Sequence, residues 1–160
     1  MKIHRHNTFT ETMENKANKT DWRLEVLRYS ICAVLLWFGI LKFLGPSGVS
    51  DSLAIRTLEK LTFGYLKGVS CLYFVAVLEC VIGIGLLVKR WLKPFLILLV
   101  LHLIGTAAPL LLFPSETWKA FLMPTFEGQY IIKNVLIVAG AIVLSAIPSD
   151  KDLKTGNPGT

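Results

Sequence analysis

Four apolar blocks, each about as long as a membrane-spanning helix, constrain the fold of this chain more than any other feature of its sequence. They cover about residues 26–45, 69–88, 94–113 and 130–147. A helix rises about 1.5 Å per residue, so each block can cross a hydrocarbon layer of about 30 Å. Open sheet edges cannot face lipid, because their backbone polar groups would lack hydrogen-bond partners. The blocks therefore predict an all-α fold, an integral membrane four-helix bundle.

The composition supports a membrane protein over a nucleic-acid-binding one. Only 18% of the residues are charged and 53% are apolar, whereas soluble domains average about 25% charged residues. The formal charge of +6 comes from basic residues beside the apolar blocks, without the interleaved aromatic residues of a nucleic-acid surface. The lipid bilayer is the expected partner, and no nucleic-acid partner is expected.

The distribution of Lys and Arg predicts the orientation in the membrane. Eleven of them lie before or at the start of the first block, between the second and third blocks, or after the fourth, and four lie in the opposite loops. Cytoplasmic loops carry the excess of positive charge, so both termini are expected in the cytoplasm. Residues 1–22 are then a flexible polar cytoplasmic tail, 23–148 the transmembrane domain and 149–160 a disordered cytoplasmic tail. Residues 49–66 in the first outer loop have an apolar helical period, which predicts a short amphipathic helix at the outer interface.

Ionisable residues at membrane depth are the candidate functional residues, because burying them in lipid is costly. Glu79 and His102 are expected near the midplane, and Lys42 and Lys133 within about one turn of the outer surface. We expect Glu79 and His102 to relay protons, and the two lysines to bind a small ligand in one outward-facing polar cavity. The alternatives are that the lysines only snorkel to the headgroups and that His102 is a core histidine hydrogen-bonded to a neighbouring helix.

Smaller polar residues extend this candidate site. Thr106 shares a helical face with His102, and Asn134 begins a strip of small residues on the fourth block. No metal site is predicted, and no nucleotide-binding motif is present. A single intramembrane His also excludes a bis-His haem within one chain. Three cysteines without a C-x-x-C pattern argue against a disulfide framework.

Four sequence segments resemble the DoxX family of small bacterial membrane proteins. They are WFGILKF, LECVIGIGLL, LHLIGTAAPLLLFP and EGQYIIKN, one near each helix in order, within a resemblance that spans about residues 28–147. The residues that coincide with family motifs are Gly39, Lys42, Glu79, Gly83, His102, Gly105, Pro109, Gly128, Gln129, Lys133 and Asn134. The resemblance implies a four-helix protein of the bacterial inner membrane, and it adds Gln129 to the ligand-binding candidates.

The function implied by the resemblance is a membrane subunit of a redox-linked system, concerned with quinone or with sulfur and thiol stress. No cofactor motif accompanies it, so an oxidoreductase activity of the chain itself is an analogy, and membrane quinone is the candidate cofactor. A quinone or small anion would bind in the polar cavity. Two alternatives stay open: a non-catalytic scaffold that docks a soluble redox enzyme, and a small transporter or channel that acts as a homo-oligomer.

Overall fold

The computed structural model of the chain describes residues 22–45, 49–88 and 91–146. In chain order the elements are α1 (Trp22–Lys42), α2 (Val49–Leu61), α3 (Val69–Leu87), α4 (Leu92–Ala107), α5 (Pro109–Leu112), α6 (Pro114–Thr117), β1 (Trp118–Ala120), β2 (Met123–Pro124), α7 (Phe126–Lys133) and α8 (Val135–Ser145). Four segments of the described chain are long and apolar enough to cross a membrane: α1, α3, α4 with α5, and α7 with α8. The predicted set of four membrane-length helices is confirmed.

Some predictions fall outside the described residues. They concern the two polar tails and the basic residues 89 and 90 between the second and third blocks. Trp22 is the exception, since it is predicted to end the first tail and instead begins α1. The fourth helical segment begins at Phe126, earlier than predicted, because Thr125 caps it: the Thr125 hydroxyl accepts a hydrogen bond from the Gly128 N–H at 3.2 Å. A capping hydroxyl satisfies a backbone donor of the first helical turn.

A short β-hairpin makes the all-α prediction incomplete. Strands β1 and β2 pair in an antiparallel arrangement between α6 and α7. The hairpin lies outside the four membrane-length segments, so the rule against sheet edges in lipid is respected. The four apolar blocks predict that no room is left for a sheet, and this part of the prediction is wrong because the polar loop between the third and fourth blocks holds the hairpin.

Helices α1 and α3 share the largest contact of any helix pair in the described chain. Gly39 and Gly83 permit this close packing: a Cβ atom at Gly39 would lie 2.8 Å from Cys80 Sγ, and one at Gly83 would lie 2.9 Å from Leu36 Cγ. Small residues let membrane helices approach closely. Buried side chains of α1 and α3 continue into α4 and α8 as one apolar core, formed by Ile31, Cys32, Leu35, Ile82, Leu86, Leu92, Leu96, Leu99, Leu103, Ala141 and Leu144.

Arg28 joins α1 to the end of α3. Its side chain is buried, and Nη1 donates hydrogen bonds to the carbonyl oxygens of Leu86 and Leu87 at 2.9 and 2.8 Å. Its Nη2 donates to the Glu25 carboxylate at 2.5 Å. The last carbonyls of a helix lack intrahelical partners, and the helix dipole favours a cation there. Arg28 therefore caps α3 from the neighbouring helix.

At the opposite end of the bundle, α2 packs against the loop between α5 and α7; we call α2 and residues 113–125 the loop cap. Leu53 and Thr57 are the buried side chains of α2, and the Arg56 guanidinium donates two hydrogen bonds to the Glu116 carboxylate. These bonds hold the pKa of Glu116 below its ordinary value of 4.5 and raise the pKa of Arg56. A helix is therefore present in the first loop, as predicted, and its position at the membrane interface stays a prediction.

Replacing Gly39 by Ala should destabilise the bundle, because the new methyl group would meet Cys80 and the Ala76 carbonyl at 2.8 and 3.1 Å. Overpacking of this kind costs about 1–3 kcal/mol. Gly105→Ala is the matched control, since nothing lies within 4 Å of a Cβ at that helical position. Thermal unfolding in detergent measures both variants. Equal stability of Gly39→Ala and Gly105→Ala would contradict the described packing.

Acid should loosen the loop cap. The pKa of Glu116 is lower in the folded than in the unfolded chain, so its ion pair stabilises the cap above pH 4.5 and is lost as the pH falls below that value. Both partners are partly exposed, so the effect should be modest and should weaken in high salt. Hydrogen exchange of α2 amides, corrected for intrinsic rates, should accelerate on acidification in the wild type and in Glu127→Gln. The same acceleration in Glu116→Gln would contradict this assignment.

Candidate functional site

Three helices each contribute one ionisable side chain to the candidate site. Glu79 lies ten residues after the start of α3, and His102 ten residues after the start of α4, which is about 15 Å along each helix. Lys42 is the last residue of α1, and the next residue, Phe43, stacks on Tyr73 of α3 with ring centroids 6.1 Å apart. Tyr73 is about one turn inside α3. The end of α1 is therefore level with the interior of α3, and Lys42 can reach down to Glu79.

The Glu79 carboxylate bridges the other two side chains. Lys42 Nζ donates a hydrogen bond to Glu79 Oε2 at 2.7 Å, and His102 Nε2 lies 3.4 Å from Glu79 Oε1. Each carboxylate oxygen thus faces a different partner on a different helix. The structure brings together three of the four ionisable residues that the sequence analysis selected. We call Lys42, Glu79 and His102 the charged triad.

Burial and charge compensation explain why the triad is stable in an apolar bundle. The exposed fractions of the side chains are 16% for Lys42, 9% for Glu79 and 6% for His102. An unpaired carboxylate at this depth would be strongly destabilising, whereas an ion pair with further polar contacts offsets much of the desolvation cost. Lys42 therefore binds the carboxylate in this structure, as opposed to extending to the headgroups.

The triad has a gradient of exposure that suits proton exchange. Lys42 is the most accessible member and His102 the least. An imidazole can donate or accept a proton at either ring nitrogen, and the Nε2 of His102 faces a carboxylate oxygen of Glu79. The arrangement can pass a proton between Glu79 and His102 while Lys42 compensates the negative charge of the carboxylate.

A second polar contact lies one helical turn from His102. Asn134 Nδ2 lies 3.4 Å from Thr106 Oγ1, and the Thr106 hydroxyl donates to the Leu103 carbonyl at 2.9 Å. Asn134 separates α7 from α8, and Ala108 separates α4 from α5. Both residues keep helical backbone angles, so α4 with α5 and α7 with α8 each continue as one helical segment. The amide of Asn134 and the hydroxyl of Thr106 join these two segments. Open space adjoins Gly105, where no heavy atom lies within 4 Å of the Cβ position.

Lys133 and Gln129 do not join the triad. Both are exposed on α7, and the Lys133 ammonium lies 3.8 Å from the centroid of the Tyr130 ring. With Pro124, Phe126, Tyr130 and Ile132 they line a separate open pocket. Lys42 and Lys133 thus have similar predicted depths but different surroundings. Lys42 contacts Glu79 and Lys133 contacts Tyr130, so the two lysines do not share one cavity as expected.

Arg28 is the buried ionisable residue that the sequence analysis missed. It was counted only as a positive charge on the cytoplasmic side, although it interrupts the first apolar block. The rule that selected Lys42 and Glu79, an ionisable side chain within an apolar block, would also have selected Arg28. Its role as a helix cap depends on the neighbouring helix, which the rule does not address.

No group of three or more His, Cys, Asp and Glu side chains in the described parts of the chain is placed to hold a metal ion. Cys32, Cys71 and Cys80 are free thiols. Comparisons of the chain with protein families, with curated proteins and with solved structures gave no match.

Removing either member of the Lys42–Glu79 pair should cost more stability than removing both. Glu79→Gln or Lys42→Gln leaves a charge without its partner, and with Lys42 partly accessible we expect a loss of about 2–3 kcal/mol for each. The double variant should recover part of this loss, which a double-mutant cycle of unfolding in lipid-free detergent measures. Lys133→Gln, at an exposed lysine, is the control and should change stability by less than about 0.5 kcal/mol. Additive single-variant effects would show that the pair is not coupled.

Proposed function

We propose that the chain is a DoxX-like protein of the bacterial inner membrane, with both termini in the cytoplasm, that exchanges protons with a quinone-class ligand through the charged triad. The observation that carries this proposal is the Glu79 carboxylate, held between an ammonium group and an imidazole at the middle of the bundle. The excess of Lys and Arg on one side supports the orientation. The chain would serve as the membrane subunit of a redox system.

Reduction of a quinone to a quinol consumes two electrons and two protons. In this proposal the electrons come from a partner reductase, and Glu79 and His102 supply protons to the quinone oxygens. Lys42 compensates the negative charge that remains on the carboxylate after Glu79 has given up a proton, because its ammonium lies 2.7 Å away. The proposal places the quinone ring in the open space beside Gly105, which is one helical turn along α4 from His102.

Thr106 and Asn134 have a positioning role in this proposal. Their hydroxyl and amide groups lie 3.4 Å apart, between the α4–α5 segment and the α7–α8 segment. They would orient the ligand by hydrogen bonds and would not exchange protons with it.

A second function, a scaffold that docks a soluble redox enzyme, is favoured by one feature of the same site. Both oxygens of Glu79 already have partners, so the triad can act solely to fix the packing of α1, α3 and α4. The two functions make different predictions for ligand binding.

Isothermal titration calorimetry of the detergent-purified protein with a short-chain naphthoquinone tests the proposal. We expect saturable binding that weakens about tenfold in Glu79→Gln and in His102→Gln, as for loss of a hydrogen bond to a charged group. Glu127→Gln, a carboxylate on α7, is the matched control and should bind as the wild type does. Thermal unfolding of each variant shows whether it is folded at the temperature of the titration.

The opposite result would favour the scaffold. In that case the wild type would not bind the naphthoquinone, and Glu79→Gln would lower only the thermal stability. Binding that is unchanged in both triad variants would also contradict the proposal, since the ligand would then occupy another part of the protein.

A further inference from the structure

Lys133 is a cation on the outside of a membrane-length segment. It lies in α7, within the segment Phe126–Ser145, and its side chain is exposed. No carboxylate of the described residues forms an ion pair with it; the contact of its ammonium is the face of the Tyr130 ring, at 3.8 Å. An ammonium group on the lipid-facing side of a helix is costly unless it reaches a polar or anionic group.

The position of Lys133 along the helix brings its ammonium to the headgroup region. It lies seven residues after Phe126, about 10 Å along the axis. Helical side chains point toward the N-terminus of their helix, and Tyr130 is one turn nearer to that end. The cation–π contact with Tyr130 therefore directs the ammonium toward the membrane surface beside Phe126 and away from the bilayer centre.

The surroundings of the ammonium form a pocket with both polar and apolar walls. It has a volume of about 320 Å³ and is lined by Pro124, Phe126, Gln129, Tyr130, Ile132 and Lys133. Gln129 and Lys133 are four residues apart and so lie on one face of α7. The rings of Phe126 and Tyr130 pack edge to face, 4.7 Å apart, and stiffen the apolar wall.

We propose that this pocket binds the phosphate group of an anionic phospholipid from the adjacent leaflet. The Lys133 ammonium and the Gln129 amide would donate hydrogen bonds to phosphate oxygens, and the aromatic pair and Ile132 would contact the acyl chains. Charge selects the lipid: a zwitterionic headgroup carries its own cation, which offsets the attraction to Lys133. This site is independent of the charged triad and of the function proposed for it.

Native mass spectrometry of the full chain in detergent, titrated with phosphatidylglycerol or phosphatidylcholine, tests the proposal. We expect one phosphatidylglycerol to bind about tenfold more tightly than phosphatidylcholine, in line with one added charge-assisted hydrogen bond. Lys133→Gln should abolish this preference, Gln129→Leu should reduce it, and Lys133→Arg should retain it. Lys119→Gln is the matched control, because Lys119 is an exposed lysine of β1 outside the pocket, and it should keep the preference.

Three results would overturn the proposal. The first is a preference for phosphatidylglycerol that survives in Lys133→Gln. The second is an equal loss in Lys119→Gln, which would show attraction to the positive charge of the protein as a whole. The third is displacement of the lipid by millimolar inorganic phosphate, which would identify a site for a soluble anion.

Discussion

The packing of the bundle depends on keeping one carboxylate, Glu79, stable in an apolar interior. An ionised carboxylate there needs a cation and further polar contacts, so the helices that carry Lys42 and His102 must lie against α3 at a defined height and rotation. The close contact of α1 with α3 at Gly39 is consistent with this requirement: an added Cβ there would lie 3.2 Å from the Cβ of Glu79. The Lys42–Glu79 ion pair and the close approach of the two backbones at Gly39 therefore lie at the same crossing of α1 and α3.

Different kinds of interaction stabilise the two ends of the bundle. At one end Arg28 is buried and binds two carbonyl oxygens of α3, an arrangement that excludes water and resists salt. At the other end the loop cap depends on Arg56 and Glu116, whose side chains are 44% and 37% exposed and whose attraction is screened by salt. We therefore expect the loop cap to open more readily than the Arg28 end, which leaves access to the triad from the Lys42 side.

Much of this arrangement could be predicted from sequence, and the limits have a physical cause. Length and hydropathy locate the four spans, and counting along each helix places Glu79 and His102 near mid-depth. The rotation of each helix about its own axis could not be predicted, because a helix that is apolar on all sides has no period that reveals its buried face. That is why Lys42 and Lys133 were assigned to one cavity, although one faces Glu79 and the other faces outward. The capping role of Arg28 and the hairpin of residues 118–124 also depend on neighbours that are distant in sequence or on loop geometry.

The Arg28 cap has a consequence for how the protein enters the membrane. A lone Arg or Lys within a helix raises the cost of its insertion by about 2.5–3.5 kcal/mol near the helix centre and by less toward its ends. Helix α1 carries both Arg28 and Lys42. Glu25 of the same helix binds Arg28, but their other partners, two carbonyl groups and a carboxylate, lie on α3. Each helix therefore has polar groups that the other satisfies, and the pair enters lipid more favourably together than either helix does alone.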